Sequence, residues 1–273
     1  MVLHSKIIGE GKPFIILHGF LGMGDNWKSL GKKFSEFGYQ VHLLDQRNHG
    51  RSFQHEEFNY SLMAGDLKKY CETYHLDNVV LLGHSMGGKT AMYFATANPE
   101  MITNLVVADI APKAYPQHHQ DILKALSLLD LSNSSVGGSR ITSRRQADEV
   151  LSAYVKDIGR RLFLLKNLYW KEKGQLGLRI NLQVLIEKID EIGMALPEGA
   201  TYNGETLFVR AGTSGYIDEL DEISIVNHFP NVIISTIENA GHWLHADSPA
   251  KFMEIVLNFL QEGKLIGYSG HKN

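Results

Sequence analysis

Short apolar runs alternate with stretches of helical spacing along most of the chain. Phe14-Ile15-Ile16-Leu17 is apolar throughout, the pattern of a strand covered on both faces. Val41-His42-Leu43-Leu44, Val79-Val80-Leu81-Leu82, Leu105-Val106-Val107-Ala108, Thr206-Leu207-Phe208-Val209 and Val232-Ile233-Ile234 continue the series of predicted strands. Between them, residues 25–37 read as a helix stopped by Gly38, and residues 62–74 carry Met63, Leu67, Tyr70 and Tyr74 at helical spacing. Met86 to Ala97 is a further helix, ended by Asn98-Pro99, and a last one runs from about Pro249 to Leu260. This rhythm predicts an α/β fold with a mostly parallel sheet and helices on both faces.

The rhythm breaks between Pro112 and Gly199, where the pattern is helical and poor in strands, with residues 132–139 as a loop. The expected organisation is a core of residues 1–111 and 200–263, a helical cap of residues 112–199 inserted over the site, and a loose tail of residues 264–273. With 273 residues, the chain is long enough for one sizeable core. A formal net charge of -3 gives no general field for nucleic acid or an anionic membrane. The N-terminus lacks a basic start followed by an apolar run, and no stretch reaches the ~18 apolar residues of a membrane span. The single cysteine, Cys71, fits a reducing compartment. These features predict a cytoplasmic protein without signal peptide or span.

The chemistry centres on Gly83-His84-Ser85-Met86-Gly87, a Gly-x-Ser-x-Gly sequence lying between a predicted strand and a predicted helix. In such a turn the glycines avoid steric conflict, and the serine hydroxyl stands clear of the backbone at a helix N-terminus that favours negative charge. Ser85 is thus the candidate nucleophile. It needs a base, and His242 in Asn239-Ala240-Gly241-His242-Trp243 has both the strand-end position and the order, serine before histidine. His245 reads as structural, and two histidines without Cys or carboxylate neighbours give no metal site. Two carboxylates keep the order required of the acid. Asp109 ends a strand in Ala108-Asp109-Ile110-Ala111-Pro112, whereas Asp218 follows Ser214, which stands where an aspartate is usual after the next strand. Asp109 is favoured for its tighter strand-end placement. The Met86 and Phe20 amides are the candidate oxyanion donors, Phe20 lying in the glycine-flanked loop His18-Gly19-Phe20-Leu21-Gly22. No nucleotide fingerprint is present, so no cofactor is expected.

These motifs resemble the α/β-hydrolase superfamily over almost the whole chain. Asp45-Gln46-Arg47-Asn48-His49-Gly50-Arg51-Ser52, Asp109-Ile110-Ala111-Pro112 and Phe163-Leu164-Leu165-Lys166-Asn167-Leu168 are narrower, and together they are similar to the YbfF-type bacterial esterases and their mitochondrial relatives. The resemblance implies hydrolysis of short- to medium-chain acyl esters, with acyl-CoA thioesters as a further substrate class. It also implies an acid after the family's sixth strand, which carries onto Asp109. The 45–52 run itself reads as structural, with charges that pair internally. Serine at the elbow argues against the dehalogenases and epoxide hydrolases of this fold, which use aspartate there. A carbon–carbon bond hydrolase would keep the same triad, and a slow-turnover ligand receptor would keep the same fold.

Between residues 140 and 179 there are ten Lys/Arg against four acids, in an otherwise acidic chain. Solvated helix faces are the plain explanation, and a basic rim for substrates with anionic tails, such as coenzyme A, is the sharper one.

Overall fold

The structure, a computed structural model, describes residues 1–117, 119–129, 131 and 141–262. Its main sheet has seven strands: β1 (Ser5–Ile8), β2 (Lys12–Leu17), β3 (Tyr39–Leu44), β4 (Val79–His84), β5 (Ile102–Ala108), β8 (Glu205–Ala211) and β9 (Val232–Ile237). They lie in the order β1-β3-β2-β4-β5-β8-β9, with β1 antiparallel to β3 and every other pairing parallel. The central strands are buried on both faces, and alternate residues go to opposite sides. Ile15, Leu17, Leu81, Leu105, Val107 and Phe208 pack into one core with α2 (Tyr60–Tyr74) and α3 (Met86–Ala97). Phe14, Ile16, Val80, Leu82, Val106 and Leu207 pack into the other with α1 (Lys28–Ser35) and α11 (Pro249–Glu262).

The helix boundaries follow local chemistry. Asn59 starts α2 by accepting the Leu62 amide on its side-chain oxygen at 2.9 Å. The helix expected over residues 25–37 divides into a 3-10 turn at Gly24–Trp27 followed by α1, and Gly38 beyond it takes φ +83°. Two strand elements escape the sequence reading. One is the edge strand β1, and the other is an antiparallel hairpin of β6 (Leu168–Glu172) and β7 (Gln175–Leu178), turning at Gly174 with φ +80°.

That hairpin belongs to the segment between β5 and β8, which also holds α4 (Gln120–Ser127), α5 (Arg144–Ser152), α6 (Ile158–Leu165), α7 (Leu182–Glu187) and α8 (Ile189–Ile192). Its leucines, among them Leu126, Leu151, Leu164 and Leu185, form a third core against Phe20, Leu21, Tyr60 and Met86 of the sheet side. The two ends of the segment are tied together by Leu196 N–H to the Pro112 carbonyl and Tyr115 N–H to the Gly193 carbonyl, each 2.8 Å. The 132–139 loop and the 264–273 tail expected from sequence lie outside the described residues.

Candidate active site

The site forms where parallel strands end side by side. Ser85 follows β4 directly and has φ +52°, a conformation that costs a non-glycine residue energy. Its amide continues the sheet ladder by donating to the Ala108 carbonyl at 3.0 Å, and Asp109 does the same to Val209 at 2.9 Å, with φ +49°. The glycines of the elbow are required by proximity. A Cβ on Gly87 would stand 2.5 Å from the Leu17 carbonyl oxygen, and one on Gly83 would collide with the backbone of Gly87.

These turns bring three side chains into one line. Ser85 Oγ lies 3.0 Å from His242 Nε2, and His242 Nδ1 lies 2.8 Å from Asp109 Oδ2. A carboxylate only accepts, so Nδ1–H donates to Asp109 and Nε2 is left to accept the Ser85 hydroxyl proton. The other oxygen of Asp109, a fully buried residue, accepts the Ala211 amide at 2.9 Å. Asp218 is elsewhere: it is exposed, pairs with Lys113 at 3.4 Å, and takes part in the turn that opens α9 (Asp221–His228).

His242 sits in the loop after β9. The Gly241 amide donates to Asp247 at 2.9 Å, and His84 Nε2–H donates to the His242 carbonyl at 2.7 Å. On its face the imidazole stacks with Tyr216, centroids 3.8 Å apart and planes 12° from parallel. His245 is buried and stacks on Trp27 at 4.0 Å. Burial, reinforced by the charge of neighbouring His242, pushes His245 down to about 3, and burial holds His84 far below the usual histidine range. Both are neutral supports. Among the described residues, no group of three or more His, Cys, Asp or Glu is placed to hold a metal ion.

Met86 is the first residue of α3, so its amide has no carbonyl one turn behind it. Phe20 lies in the β2 loop, and among the described residues its amide has no backbone acceptor. Two buried histidines shape that loop. His49 Nε2 accepts the Leu21 amide at 3.2 Å, and His18 Nε2 accepts the Gln46 amide at 3.0 Å. Burial lowers them to about 3 and about 4, keeping both neutral. The 45–52 run therefore braces the loop after β2 that carries Phe20. Its charges do not pair within the run: Arg47 forms a two-pronged pair with Asp66 on α2 at 2.5 and 2.9 Å, and Asp45 meets His4 at 3.2 Å.

A cavity of about 190 Å³ opens beside Ser85, walled by Phe20, Leu21, Trp27, Ile122, Phe163 and Trp243. A smaller one of about 20 Å³, lined by Met86, Ile110 and Ile192, shares Ser85, His119 and Tyr216 with it. The insertion's arginines are mostly engaged. Arg144 donates to the Leu165 and Leu168 carbonyls, Arg145 pairs with Glu149, Arg161 with Asp148, and Arg179 lies over Tyr169. Arg160 alone among them lines the larger cavity, its guanidinium 5.4 Å from the Trp243 ring centre. Arg140 lies outside the described residues. Sequence reasoning missed Tyr216 and the buried Lys89, because neither type carries a positional signal without the fold.

The chain was compared with known proteins. Residues 12–249 match the family model described as alpha/beta hydrolase fold. The sn-1-specific diacylglycerol lipase ABHD11 of Danio rerio is 36% identical over 93% of this chain and 80% of its own length. Esterase YbfF of Escherichia coli is 28% identical over 93% of this chain and 94% of its own. A solved marine microorganism esterase superposes with TM-score 0.89 at 38% identity, covering 94% of this chain and 99% of that one. Among the described residues no helix is long and apolar enough to cross a membrane. Sheet order, elbow and matched length agree, and the chain belongs to the α/β-hydrolase fold family, among its esterases and lipases.

Proposed function

We propose that this enzyme is a serine esterase that cleaves short- to medium-chain acyl esters through an acyl-enzyme, with Ser85 as nucleophile, His242 as base and Asp109 as acid. The observation that carries the reading is the unbroken line Ser85 Oγ–His242 Nε2 at 3.0 Å and His242 Nδ1–Asp109 Oδ2 at 2.8 Å. As Ser85 Oγ bonds to the acyl carbon, His242 takes its proton, and the carbonyl oxygen becomes an oxyanion facing the Phe20 and Met86 amides. The tetrahedral species collapses when His242 returns the proton to the leaving alcohol oxygen. Water then attacks the acyl-enzyme with His242 again as base, releasing the acid and Ser85. The two cavities meeting at Ser85 suit the two halves of an ester, and the apolar walls suit an alkyl acyl group.

In this reading residues 112–199 form a cap over a core of residues 1–111 and 200–263. Arg160 on the cavity wall favours a second substrate class, acyl-CoA thioesters, whose phosphates would meet a guanidinium that no carboxylate neutralises among the described residues. The free buried Cys71 suits a cytoplasmic setting.

The test is labelling by a fluorophosphonate together with turnover of p-nitrophenyl butyrate. One label per chain at Ser85, abolished with turnover in Ser85→Ala, is expected. Labelling at a different serine would overturn the assignment, and labelling without turnover on a panel of esters and thioesters would favour the receptor or carbon–carbon reading.

A further inference from the structure

The line from Asp109 through His242 to Ser85 holds the imidazole by its two nitrogens, which lie in the ring plane. In-plane contacts of that kind resist rotation of the ring about its Cβ–Cγ bond, which carries it out of plane, less firmly than a contact on the ring face does. The faces of the ring are where that motion is resisted. His84 is tilted by 41° with its centroid 4.8 Å away, and Trp243 approaches edge-on at 6.1 Å. Only Tyr216, among the described residues, lies flat on the imidazole, at 3.8 Å and 12°.

Tyr216 is itself held firmly. Its carbonyl accepts the Tyr115 hydroxyl at 2.5 Å, and that hydroxyl in turn accepts the Ala111 amide at 2.8 Å, just beyond Asp109. Its amide donates to Ser214 Oγ at 3.2 Å. Ser214 stands where superfamily members commonly carry an aspartate after this strand. Here that position shapes the turn that delivers an aromatic ring to the histidine, while the carboxylate comes from β5.

Resting on the triad reading above, we propose that Tyr216 is a positioning residue for His242, whose ring face fixes the imidazole plane and stabilises the imidazolium formed as Ser85 gives up its proton. An aromatic face carries partial negative charge, so it attracts the imidazolium more than the neutral ring. The gain falls in the transition state, where His242 holds the proton, and so acts on kcat. The ring, not the phenol, does this. Burial pushes the Tyr216 hydroxyl up to about 12, so it stays neutral through the working range. The other groups facing His242 are Asp109 at the end of β5, His84 at the end of β4, and His245 on α10 (Leu244–Asp247), with Arg160 of α6 nearby beyond Tyr216 and Trp243. Of these, His84 and His245 are held neutral by burial.

The experiment compares Tyr216→Leu and Tyr216→Phe on p-nitrophenyl butyrate from pH 5 to 9, with fluorophosphonate labelling alongside. For Tyr216→Leu we expect kcat to fall about 5- to 30-fold with KM within about twofold, and the acidic limb of kcat/KM to move about half to one pH unit lower. Tyr216→Phe should stay within about twofold of the parent. If Tyr216→Leu does not fold, phenylalanine rings of increasing fluorination at position 216 provide the same readout in a near-isosteric series, with kcat falling as the face loses electron density. Parent kcat and limb in Tyr216→Leu, equal losses in Leu and Phe variants, or a flat fluorination series would each overturn the proposal. Failure of the triad reading itself looks different: the parent protein would then not be labelled at Ser85.

Discussion

Lys89 presents a charge in an unusual place. It lies on the second turn of α3, is fully buried, and donates through Nζ to the carbonyls of Lys113 at 2.5 Å and Met194 at 2.8 Å. Those carbonyls belong to the entry and exit of the insertion, so one side chain ties both to the helix that starts just after Ser85. Burial, with Lys113 nearby, pushes its pKa down to about 7 from 10.5. The unfolded chain therefore binds one more proton than the folded chain between these values, and stability rises with pH across that window. The slope is about 1.4 kcal/mol per pH unit once the folded amine is neutral, which amounts to about 2 kcal/mol between pH 6 and pH 8.5. A neutral amine still has two hydrogens for the two carbonyls. In Lys89→Met the carbonyls lose their donor, about 1–3 kcal/mol each, while the titration disappears. Urea denaturation of both proteins at pH 6 and 8.5 isolates the effect, because every other titrating group cancels in the difference. The variant should be destabilised more at pH 8.5 than at pH 6, by about 2 kcal/mol. A difference independent of pH would show that Lys89 keeps an ordinary lysine charge in the fold and would refute the argument.

Three further outcomes are expected. Asp109→Asn should lower kcat by about 10⁴, as in the serine protease template, because the amide misorients His242 and removes the charge beside its imidazolium. Asp218→Asn should change kcat by less than about threefold, since Asp218 serves only a surface turn and Lys113; the reverse ranking in ester kinetics would reassign the acid. For the thioester reading, Arg160→Glu should lower kcat/KM for butyryl-CoA far more than for p-nitrophenyl butyrate, and the gap should close from 0.1 to 1 M salt as the Debye length falls from ~10 to ~3 Å. Equal losses on both substrates would leave Arg160 as a wall residue.

The strands that form the middle of the sheet were legible because burial on both faces leaves short apolar runs, and these recur between helical stretches with turn residues around them. The elbow was legible for a related reason: at Gly83 and Gly87 the backbone approaches itself too closely for a side chain. What escaped has a common physical origin. β1 is an edge strand with mixed exposure, and the 168–178 hairpin lies against helices instead of in the sheet, so neither carries the doubly buried signature. Asp109 and Asp218 both follow strands, and only the fold shows one reaching His242 and the other turning to Lys113. The basic excess of residues 140–179 was countable, but charge in a sequence has no direction. Arg144 points inward to two carbonyls, Arg161 to Asp148, and Arg160 to the cavity. A lysine reads as surface, so Lys89 gave no warning at all.

Backbone strain adds a final element to how the site is held. The non-glycine residues at positive φ among the described residues are Leu21, Asn48, His75, Asn78, Ser85 and Asp109. His75 ends a helix, where the left-handed conformation is common, and Asn78 is of a type that tolerates it. Asn48 and Asp109 are of tolerant types as well. Leu21 and Ser85 have no such excuse, and both follow neighbouring strands, β2 and β4, around the proposed nucleophile. Each such residue costs on the order of 1–3 kcal/mol and persists only where its surroundings over-determine it. Here the surroundings do so. Ser85 and Asp109 extend the ladder to Ala108 and Val209, and the Leu21 amide and carbonyl are taken by His49 and by Asn167 of the insertion, the latter at 2.8 Å. The Leu21 contacts explain why the 45–52 run and the 163–168 segment belong to the same motif set although neither supplies a triad group. One carries His49 and the other Asn167, and both hold the strained loop that carries Phe20 on the cavity wall. The strain is thus anchored from the sheet below and the insertion above, and the backbone that carries the proposed oxyanion donors is held by contacts that need no ester.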